Sequence, residues 1–244
     1  DKAFLTCYSL DFFPGESYKP DLVVKPKNVN QITKIVRLAN LEKFPVIPRG
    51  AGTSVTGGVV PVKGGVVLDL TEMDNILDFD AESMQVEVEA GVVWDKLNRF
   101  LAGKGFFFPS TPGSATVSTV GGSLSVSGSG MRSIKYGTVR SNTLKIEAVL
   151  PDGSLLEAGA KTLKTSCGYS LKDLFIGSEG TLGIIVKAVL RVYPIPESTL
   201  ILYAKFEKLE NLNKTLCEVL GRGIIPSTME FSDKTALGYV EDEE

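Results

Sequence analysis

The chain has 244 residues and a formal net charge of −3, with acidic and basic residues interspersed. This charge gives no footprint for nucleic acid, and no stretch approaches the roughly 18 consecutive apolar residues of a membrane-spanning helix. There is no histidine, which excludes a His-based triad or a His-ligated metal within this chain. The three cysteines have no metal-ligand spacing, so no metal site is predicted. With no signal-peptide pattern, a reduced, cytoplasmic protein is expected.

The first third of the chain alternates strand and helix signals. Apolar residues recur at helical spacing after Asn28, a plausible N-cap. The predicted elements are a strand, a helix and two strands that flank a glycine-rich loop, over residues 21–25, 28–43, 45–48 and 65–70. This order predicts a small α/β subdomain over about residues 1–75.

The next part, residues 76–196, carries further strand and helix signals. Val86 and Val88 alternate with Gln85, Glu87 and Glu89, which predicts a half-buried strand. An amphipathic helix at 92–105, a hairpin with a turn at 151–153, a short helix and a long strand ending near 192 follow.

Two prolines, Pro194 and Pro196, indicate a boundary. Beyond them, residues 199–206 predict a strand and residues 209–223 a helix. This segment, 197–244, therefore predicts the start of another α+β unit.

Residues 49–58, "RGAGTSVTGG", form a glycine-rich loop between two strands. The loop lacks the Gly-Lys-Ser/Thr ending of a Walker A motif, and Val55 breaks a G-x-G-x-x-G pattern. No long helix follows, so anion binding at a helix N-terminus is poorly supported. Two interpretations stay open: a tight turn, or a nest of backbone N–H groups suited to an anion such as pyrophosphate.

A second stretch, residues 109–138, is rich in Gly, Ser and Thr. Apolar residues are interleaved in it, namely Val117, Val120, Leu124, Val126, Met131 and Ile134. So much apolar surface favours a packed segment over a flexible linker. Its glycines would let the backbone lie close to a ligand.

Three segments together carry a family resemblance: 45–77, 105–139 and 167–196. In order and spacing they resemble the FAD-linked oxidases of the vanillyl-alcohol oxidase (PCMH) superfamily, nearest to the glycolate oxidase D-subunit and D-lactate dehydrogenase type. The resemblance runs from about residue 8 to 196. It implies an α+β fold: a PCMH-type FAD-binding domain of two α/β subdomains over 1–196, followed by the beginning of an α+β cap domain over 197–244.

The resemblance also implies cofactor-binding residues in each segment. Residues 48–54 would wrap the FAD pyrophosphate, residues 113–119 would contact pyrophosphate and flavin, residues 126–129 would lie near the isoalloxazine ring, and residues 179–185 would face the adenine side. The FAD-binding residues so predicted are Pro48, Arg49, Gly50, Ala51, Gly52, Thr53, Ser54, Gly57, Gly58, Gly113, Ser114, Ala115, Val117, Ser118, Thr119, Gly121, Gly122, Val126, Ser127, Gly128, Ser129, Glu179, Gly180, Thr181, Gly183, Ile184 and Ile185.

Alternatives remain for some of these residues. Pro48 and Arg49 could only shape and anchor the turn, and Ile184 and Ile185 could be strand core as well. A valine in place of Gly52 is expected to abolish FAD binding by blocking the approach of the phosphate.

The sequence departs from the family pattern at two places. Thr53 stands where covalent members often carry histidine, which implies noncovalent FAD. The segment after residue 196 holds no histidine cluster, so the catalytic residues are unknown. Cys167, beside the third segment, is expected to be a buried structural cysteine.

The resemblance implies a flavin-dependent oxidoreductase that oxidises a 2-hydroxy acid of the glycolate or D-lactate type, with hydride transfer to flavin N5. Two alternatives are an alkylglycerone-phosphate synthase-like FAD enzyme and a flavin-carrying subunit that is active only with a partner chain. Apolar residues between 200 and 231 would be left exposed, so a dimer or a partner subunit is expected.

Overall fold

The structure is a computed structural model that describes residues 2–241. The last three residues of the predicted 197–244 segment therefore lie outside the described residues. Helices occupy α1 (Lys2–Thr6), α2 (Val29–Glu42), α3 (Trp94–Ala102), α4 (Val120–Ser125), α5 (Ser133–Tyr136), α6 (Leu171–Phe175), α7 (Leu209–Gly221) and α8 (Lys234–Glu241). Strands occupy β1 (Leu22–Val24), β2 (Val46–Arg49), β3 (Val66–Asp69), β4 (Ile76–Asp80), β5 (Gln85–Glu89), β6 (Phe106–Phe107), β7 (Thr143–Val149), β8 (Leu155–Gly159), β9 (Ile184–Arg191) and β10 (Tyr193–Pro194). The mixture of helices and sheets confirms the α+β fold class.

The first sheet has three parallel strands in the order β1-β3-β2. Helix α2 joins β1 to β2, and it begins as predicted at Asn28, whose side chain accepts a hydrogen bond from the Gln31 N–H at 3.1 Å. The helix buries Ile32 and Val36 against Leu68 of β3. The carboxyl ends of β2 and β3 lie side by side, with Arg49 paired in register with Asp69, and the first glycine-rich loop begins there.

The second sheet has five antiparallel strands in the order β4-β5-β9-β7-β8. Its central strand, β9, is buried on both faces. Ile184 and Val186 pack with Ile32 of α2 and Leu68 of β3, whereas Ile185 and Ala188 belong to a second core. That second core contains α3 and α4, with Trp94 and Phe108 stacked at 4.6 Å between ring centroids. Strand β9 therefore joins the two cores.

The prediction of a half-buried strand at 85–89 was wrong for two of its polar residues. Gln85 and Glu89 are both buried, because β5 has neighbours on each edge and is covered on both faces. The Glu89 carboxylate accepts hydrogen bonds from the Asn75 backbone N–H and side-chain amide, at 2.9 and 2.7 Å. The Gln85 amide donates to the Lys161 carbonyl at 2.8 Å. These polar groups are buried but satisfied.

The segment 199–206 does not form the predicted strand. Most of its apolar side chains are largely exposed, with Leu200 at 95% and Tyr203 at 92%, whereas Phe206 at its end is 37% exposed. An isolated strand has no stable form without a neighbour to pair with its backbone, and no strand of the described chain lies beside it. The helix predicted after it is present as α7.

Two further sequence expectations need correction. Cys167 is exposed, not buried, because it lies in the irregular segment between β8 and α6. In the 109–138 stretch, Val120 and Leu124 are buried through α4, but Val117 and Met131 are more than half exposed.

Among the described residues, no helix is both long and apolar enough to cross a membrane.

Candidate functional site: a glycine-lined cavity

The three glycine-rich segments meet around one cavity of about 280 Å³. It lies beyond the carboxyl end of β2, where ligands commonly bind in open α/β sheets. Twenty of the residues predicted from the sequence line it: Pro48, Arg49, Gly50, Ala51, Gly52, Thr53, Ser54, Gly58, Ser114, Ser118, Thr119, Gly121, Gly122, Val126, Gly128, Glu179, Gly180, Gly183, Ile184 and Ile185.

Seven predicted residues do not line this cavity, and FAD binding stays a prediction for these as well as for the residues that do line it. The seven are Gly57, Gly113, Ala115, Val117, Ser127, Ser129 and Thr181. Eight lining residues were not predicted, namely Val55, Thr56, Val59, Leu70, Ala90, Pro112, Ser123 and Ser125. Most of these adjoin predicted ones, so widening each segment would have found them. Leu70 and Ala90 carry no local signal, because only the fold brings the ends of β3 and β5 to the cavity.

Arg49 and the N-terminal residues 8–12 make contacts that hold the 49–58 loop in place. The Arg49 side chain is buried, donates to the Leu10 carbonyl at 3.0 Å and lies 5.3 Å from the centre of the Tyr8 ring. The Phe12 N–H donates to the Ser54 carbonyl at 3.0 Å. The loop is therefore fixed by contacts to residues 8–12, which lie far away in sequence.

The loops also touch one another through positions without a Cβ. A Cβ on Gly50 would collide with the Thr119 hydroxyl of the second loop, and one on Gly58 would lie 2.8 Å from the Glu179 carboxylate of the third. The Thr56 hydroxyl donates to that carboxylate at 3.4 Å. These glycines thus have a packing reason, in addition to any close approach by a ligand.

The second glycine-rich stretch, residues 109–138, contributes serine and threonine side chains to the cavity wall. The Ser123 hydroxyl accepts from the buried Trp94 indole N–H at 2.7 Å, which fixes the start of α3 against α4. By contrast, the Ser118 hydroxyl is buried and has no hydrogen-bond partner in the described chain, although Ser118 lines the cavity. A buried polar atom without a partner is uncommon. Its place in the wall suits a bond to a bound molecule.

The third loop is strained at Glu179, which has φ +52° in the left-handed region. Its N–H donates to the Ser125 carbonyl of α4 at 2.8 Å, and this bond holds the residue in place. Such conformations in residues other than glycine cluster at functional sites.

A second cavity of about 250 Å³ lies on the other side of Pro48, Gly180, Gly183 and Ile184, which line both. Its remaining wall comes from α2, from Phe44 and Val46, from residues 149–151 and from Thr181, a predicted residue that does not line the first cavity. The two cavities therefore adjoin along these four residues.

A group of charged residues surrounds Asp69 at the end of β3, next to the start of the 49–58 loop. Asp69 accepts from the Tyr8 hydroxyl at 2.7 Å and from the Thr71 N–H at 2.9 Å, and it pairs with Lys25 at 3.1 Å. Burial alone would raise the pKa of Asp69, but these hydrogen bonds outweigh it and hold the pKa below its usual value. Burial, followed by the bond to Asp69, raises the pKa of Tyr8. Asp69 is therefore ionised and fixes Tyr8.

The fold and the cavity suit an anionic ligand, because the wall combines backbone amides and hydroxyls with a buried guanidinium. Among the described residues, the 49–58 loop contributes backbone amides, hydroxyls and the Arg49 guanidinium to the wall, and strand β9 contributes the apolar side chains of Ile184 and Ile185. Comparison with known proteins gives the class. The profile of a family described as "FAD binding domain" matches residues 20–159. The chain therefore belongs to this family of FAD binding domains.

Several relatives are similar over most of this chain. Glycolate oxidase subunit GlcD of Bacillus subtilis is 37% identical over 235 residues, which are 96% of this chain and 50% of that protein. D-lactate dehydrogenase of Archaeoglobus fulgidus is 39% identical over 216 residues, 88% of this chain and 48% of that protein. The chain thus spans about half the length of these relatives.

A solved structure titled alkyldihydroxyacetonephosphate synthase superposes with a TM-score of 0.76 and 28% identity, over 87% of this chain and 39% of that one. These matches confirm the resemblance to PCMH-type proteins and to the glycolate oxidase and D-lactate dehydrogenase group. They also support FAD as the cofactor.

Proposed function

We propose that this chain is the FAD-binding part of a flavin-dependent oxidoreductase that oxidises a 2-hydroxy acid of the glycolate or D-lactate type. The observation that carries the proposal is the meeting of the three glycine-rich loops around one cavity, with Ser118 unpaired in its wall. The relatives named as glycolate oxidase subunit and D-lactate dehydrogenase support the substrate class.

In this proposal the chain's residues bind and orient the cofactor. Backbone amides of residues 50–54 and the Ser118 hydroxyl hold the pyrophosphate, Val126 and Gly128 adjoin the flavin ring, and Ile184 supports the adenine end. The bound FAD would supply the chemistry, as the acceptor of a hydride from the α-carbon of the 2-hydroxy acid at its N5 position. Thr53 stands at the position of a covalent link in other members, so the FAD is held without one.

A second candidate is a synthase-like activity, because the superposed solved structures carry that title. The identity to the oxidoreductases is higher, at 37–39% against 28%, which favours the 2-hydroxy acid. Since one relative is named as a subunit, we also propose that the chain works with a partner subunit or as a dimer.

The test begins with the visible spectrum of the purified protein and its titration with FAD. We expect a yellow protein, or a colourless one that takes up one FAD and quenches its fluorescence. Failure to take up FAD would contradict the proposal.

Anaerobic addition of D-lactate or glycolate then separates the candidates, with alkyldihydroxyacetone phosphate as the control compound. Bleaching of the flavin absorbance by a 2-hydroxy acid supports the oxidoreductase. If neither acid bleaches the flavin alone but one does after the partner subunit is added, the subunit form of the proposal is supported.

A further inference from the structure

Arg49 is the one basic side chain among the described residues that line the cavity. It is the last residue of β2 and is only 8% exposed. Within the described chain its guanidinium forms no ion pair, with no carboxylate oxygen inside 4.0 Å. A buried cation without an ion pair costs free energy, and such groups in proteins normally have a partner.

The guanidinium is fixed in position by three contacts. It donates to the Leu10 carbonyl, it lies against the Tyr8 ring, and it is so close to Gly52 that a Cβ there would collide with it. It therefore sits inside the curve of the first glycine-rich loop, next to the backbone amides. A fixed guanidinium is well matched to phosphate oxygens, because its planar fork donates to two of them at once.

Nearby carboxylates do not serve as its partner. Asp69 is taken by Lys25 and Tyr8. Asp11 accepts a hydrogen bond from the Phe13 N–H through Oδ1, and its Oδ2 is buried without a partner in the described chain but does not reach the Arg49 guanidinium within 4.0 Å. Both carboxylates and Tyr8 act on Arg49 from a distance, but burial outweighs them and lowers the pKa of Arg49. The protein thus holds a desolvated positive charge at the cavity wall that an anionic ligand would stabilise.

We propose that Arg49 is the counter-ion of the FAD pyrophosphate, and that residues 8–13 hold its guanidinium toward the cavity. This inference rests on the proposed placement of the pyrophosphate in the 49–58 loop. It assigns a role to Arg49 beyond shaping the turn. It also brings into the site an N-terminal segment that precedes residues 20–159, the part matched by the family profile.

The experiment compares Arg49→Met, Arg49→Lys and Arg99→Met in the full chain. Arg99 is an exposed residue of α3 that pairs with Asp95, away from the cavity, and serves as the matched control. FAD affinity is measured by quenching of flavin fluorescence. We expect Arg49→Met to weaken binding about 10-fold to 100-fold, Arg49→Lys to weaken it less, and Arg99→Met to leave it unchanged.

Inorganic pyrophosphate separates a counter-ion from a mere loop anchor. Added alone to the FAD-free protein, it should raise the melting temperature of the wild type and of Arg49→Lys, but not of Arg49→Met. Tyr8→Leu, which removes the ring but keeps the charge, should lower the FAD affinity with a smaller effect than Arg49→Met.

Three outcomes would overturn the assignment. These are Arg49→Met binding FAD like the wild type, Arg49→Met keeping the response to pyrophosphate, and Arg49→Lys losing both FAD and the pyrophosphate response as fully as methionine does. The last outcome would assign Arg49 to the shape of the loop. A wild-type protein that takes up no FAD would instead contradict the proposed function, so the two failures can be told apart.

Discussion

Gly52 has φ +73°, a backbone conformation that side-chain-bearing residues rarely adopt. The sequence predicted that a larger residue here would block the phosphate, but a Cβ would first collide with the Arg49 guanidinium. The glycine therefore protects the position of Arg49 in addition to leaving room for a ligand. Sequence reasoning could single out the residue but not this reason, because Arg49 is folded under the loop only in three dimensions.

The first prediction concerns Gly52→Ala. We expect it to destabilise the FAD-free protein by about 1–3 kcal/mol through the strained backbone, and to weaken FAD binding at least about 10-fold because Arg49 is displaced. Chemical denaturation and FAD titration measure the two effects. Gly103→Ala is the control, since Gly103 ends α3 with φ −64° and a Cβ there would find its nearest atom at 3.5 Å. Equal FAD affinity in Gly52→Ala and the wild type would contradict the prediction.

Ser118 gives the second prediction, because its buried hydroxyl has no partner in the described chain. Removing an unpaired hydroxyl costs the protein itself little. Ser118→Ala should keep the unfolding free energy within about 0.5 kcal/mol. The same change should weaken FAD binding about 3-fold to 10-fold by removing one hydrogen bond.

The comparison variant is Ser123→Ala, in helix α4 a few residues further along the same glycine-rich stretch. Its hydroxyl accepts from the buried Trp94 indole, so its loss should destabilise the protein by about 1–3 kcal/mol. If Ser118→Ala proved as destabilising as Ser123→Ala, the Ser118 hydroxyl would have a partner within the protein and would not be available to the cofactor.

At the scale of elements, the helices and turns were the most predictable parts. Helix α2 follows from a local cap and a local apolar pattern, and the β7–β8 hairpin follows from the 151–153 turn, where Gly153 has φ +78°. The burial of Gln85 and Glu89, and the absence of a strand at 199–206, depend on what lies beside the chain. A single sequence does not carry that information.

The third prediction concerns the end of β3, where Asp69 holds Tyr8 and Lys25. Asp69→Asn should destabilise the protein by about 1–3 kcal/mol at pH 7, because the donors of Tyr8, Thr71 and Lys25 lose a charged acceptor. The folded-state pKa of Asp69 lies below its unfolded value, so its stabilisation is present above the unfolded pKa and is lost as the pH falls through the folded one.

The difference in unfolding free energy between wild type and Asp69→Asn should therefore shrink as the pH falls below about 4, the pKa of an unperturbed aspartate. Denaturant titrations at several pH values measure it. Asp152→Asn, at the exposed hairpin turn, is the comparison: hydrogen bonds from Ser154 also lower the pKa of Asp152, so its effect should fall with pH in the same direction but be smaller at this exposed site. A difference that stayed constant with pH would show that Asp69 stabilises β3 by shape alone.

At the scale of the whole molecule, the residues of the candidate site were easier to predict from the sequence than the packing that surrounds them. Glycine and hydroxyl residues are concentrated in three stretches, so a family resemblance could group them without coordinates. Arg49's contacts with Tyr8 and Leu10, and the part played by Leu70 and Ala90, come from the packing of distant segments. The cavity is made where the two sheets adjoin, with β9 contributing Ile184 to one core and Ile185 to the other.

This arrangement predicts that the FAD site and the second core unfold together. Trp94, the single tryptophan, lies in the second core, whereas the 49–58 loop follows the first sheet. FAD at about 100 times its Kd should stabilise the protein by about 2.7 kcal/mol, which for a chain of this size raises the melting temperature by about 5–10 °C. Trp94 fluorescence and the release of flavin fluorescence should report the same transition. Flavin release well below the Trp94 transition would show that the first sheet opens independently, and that β9 does not couple the two cores.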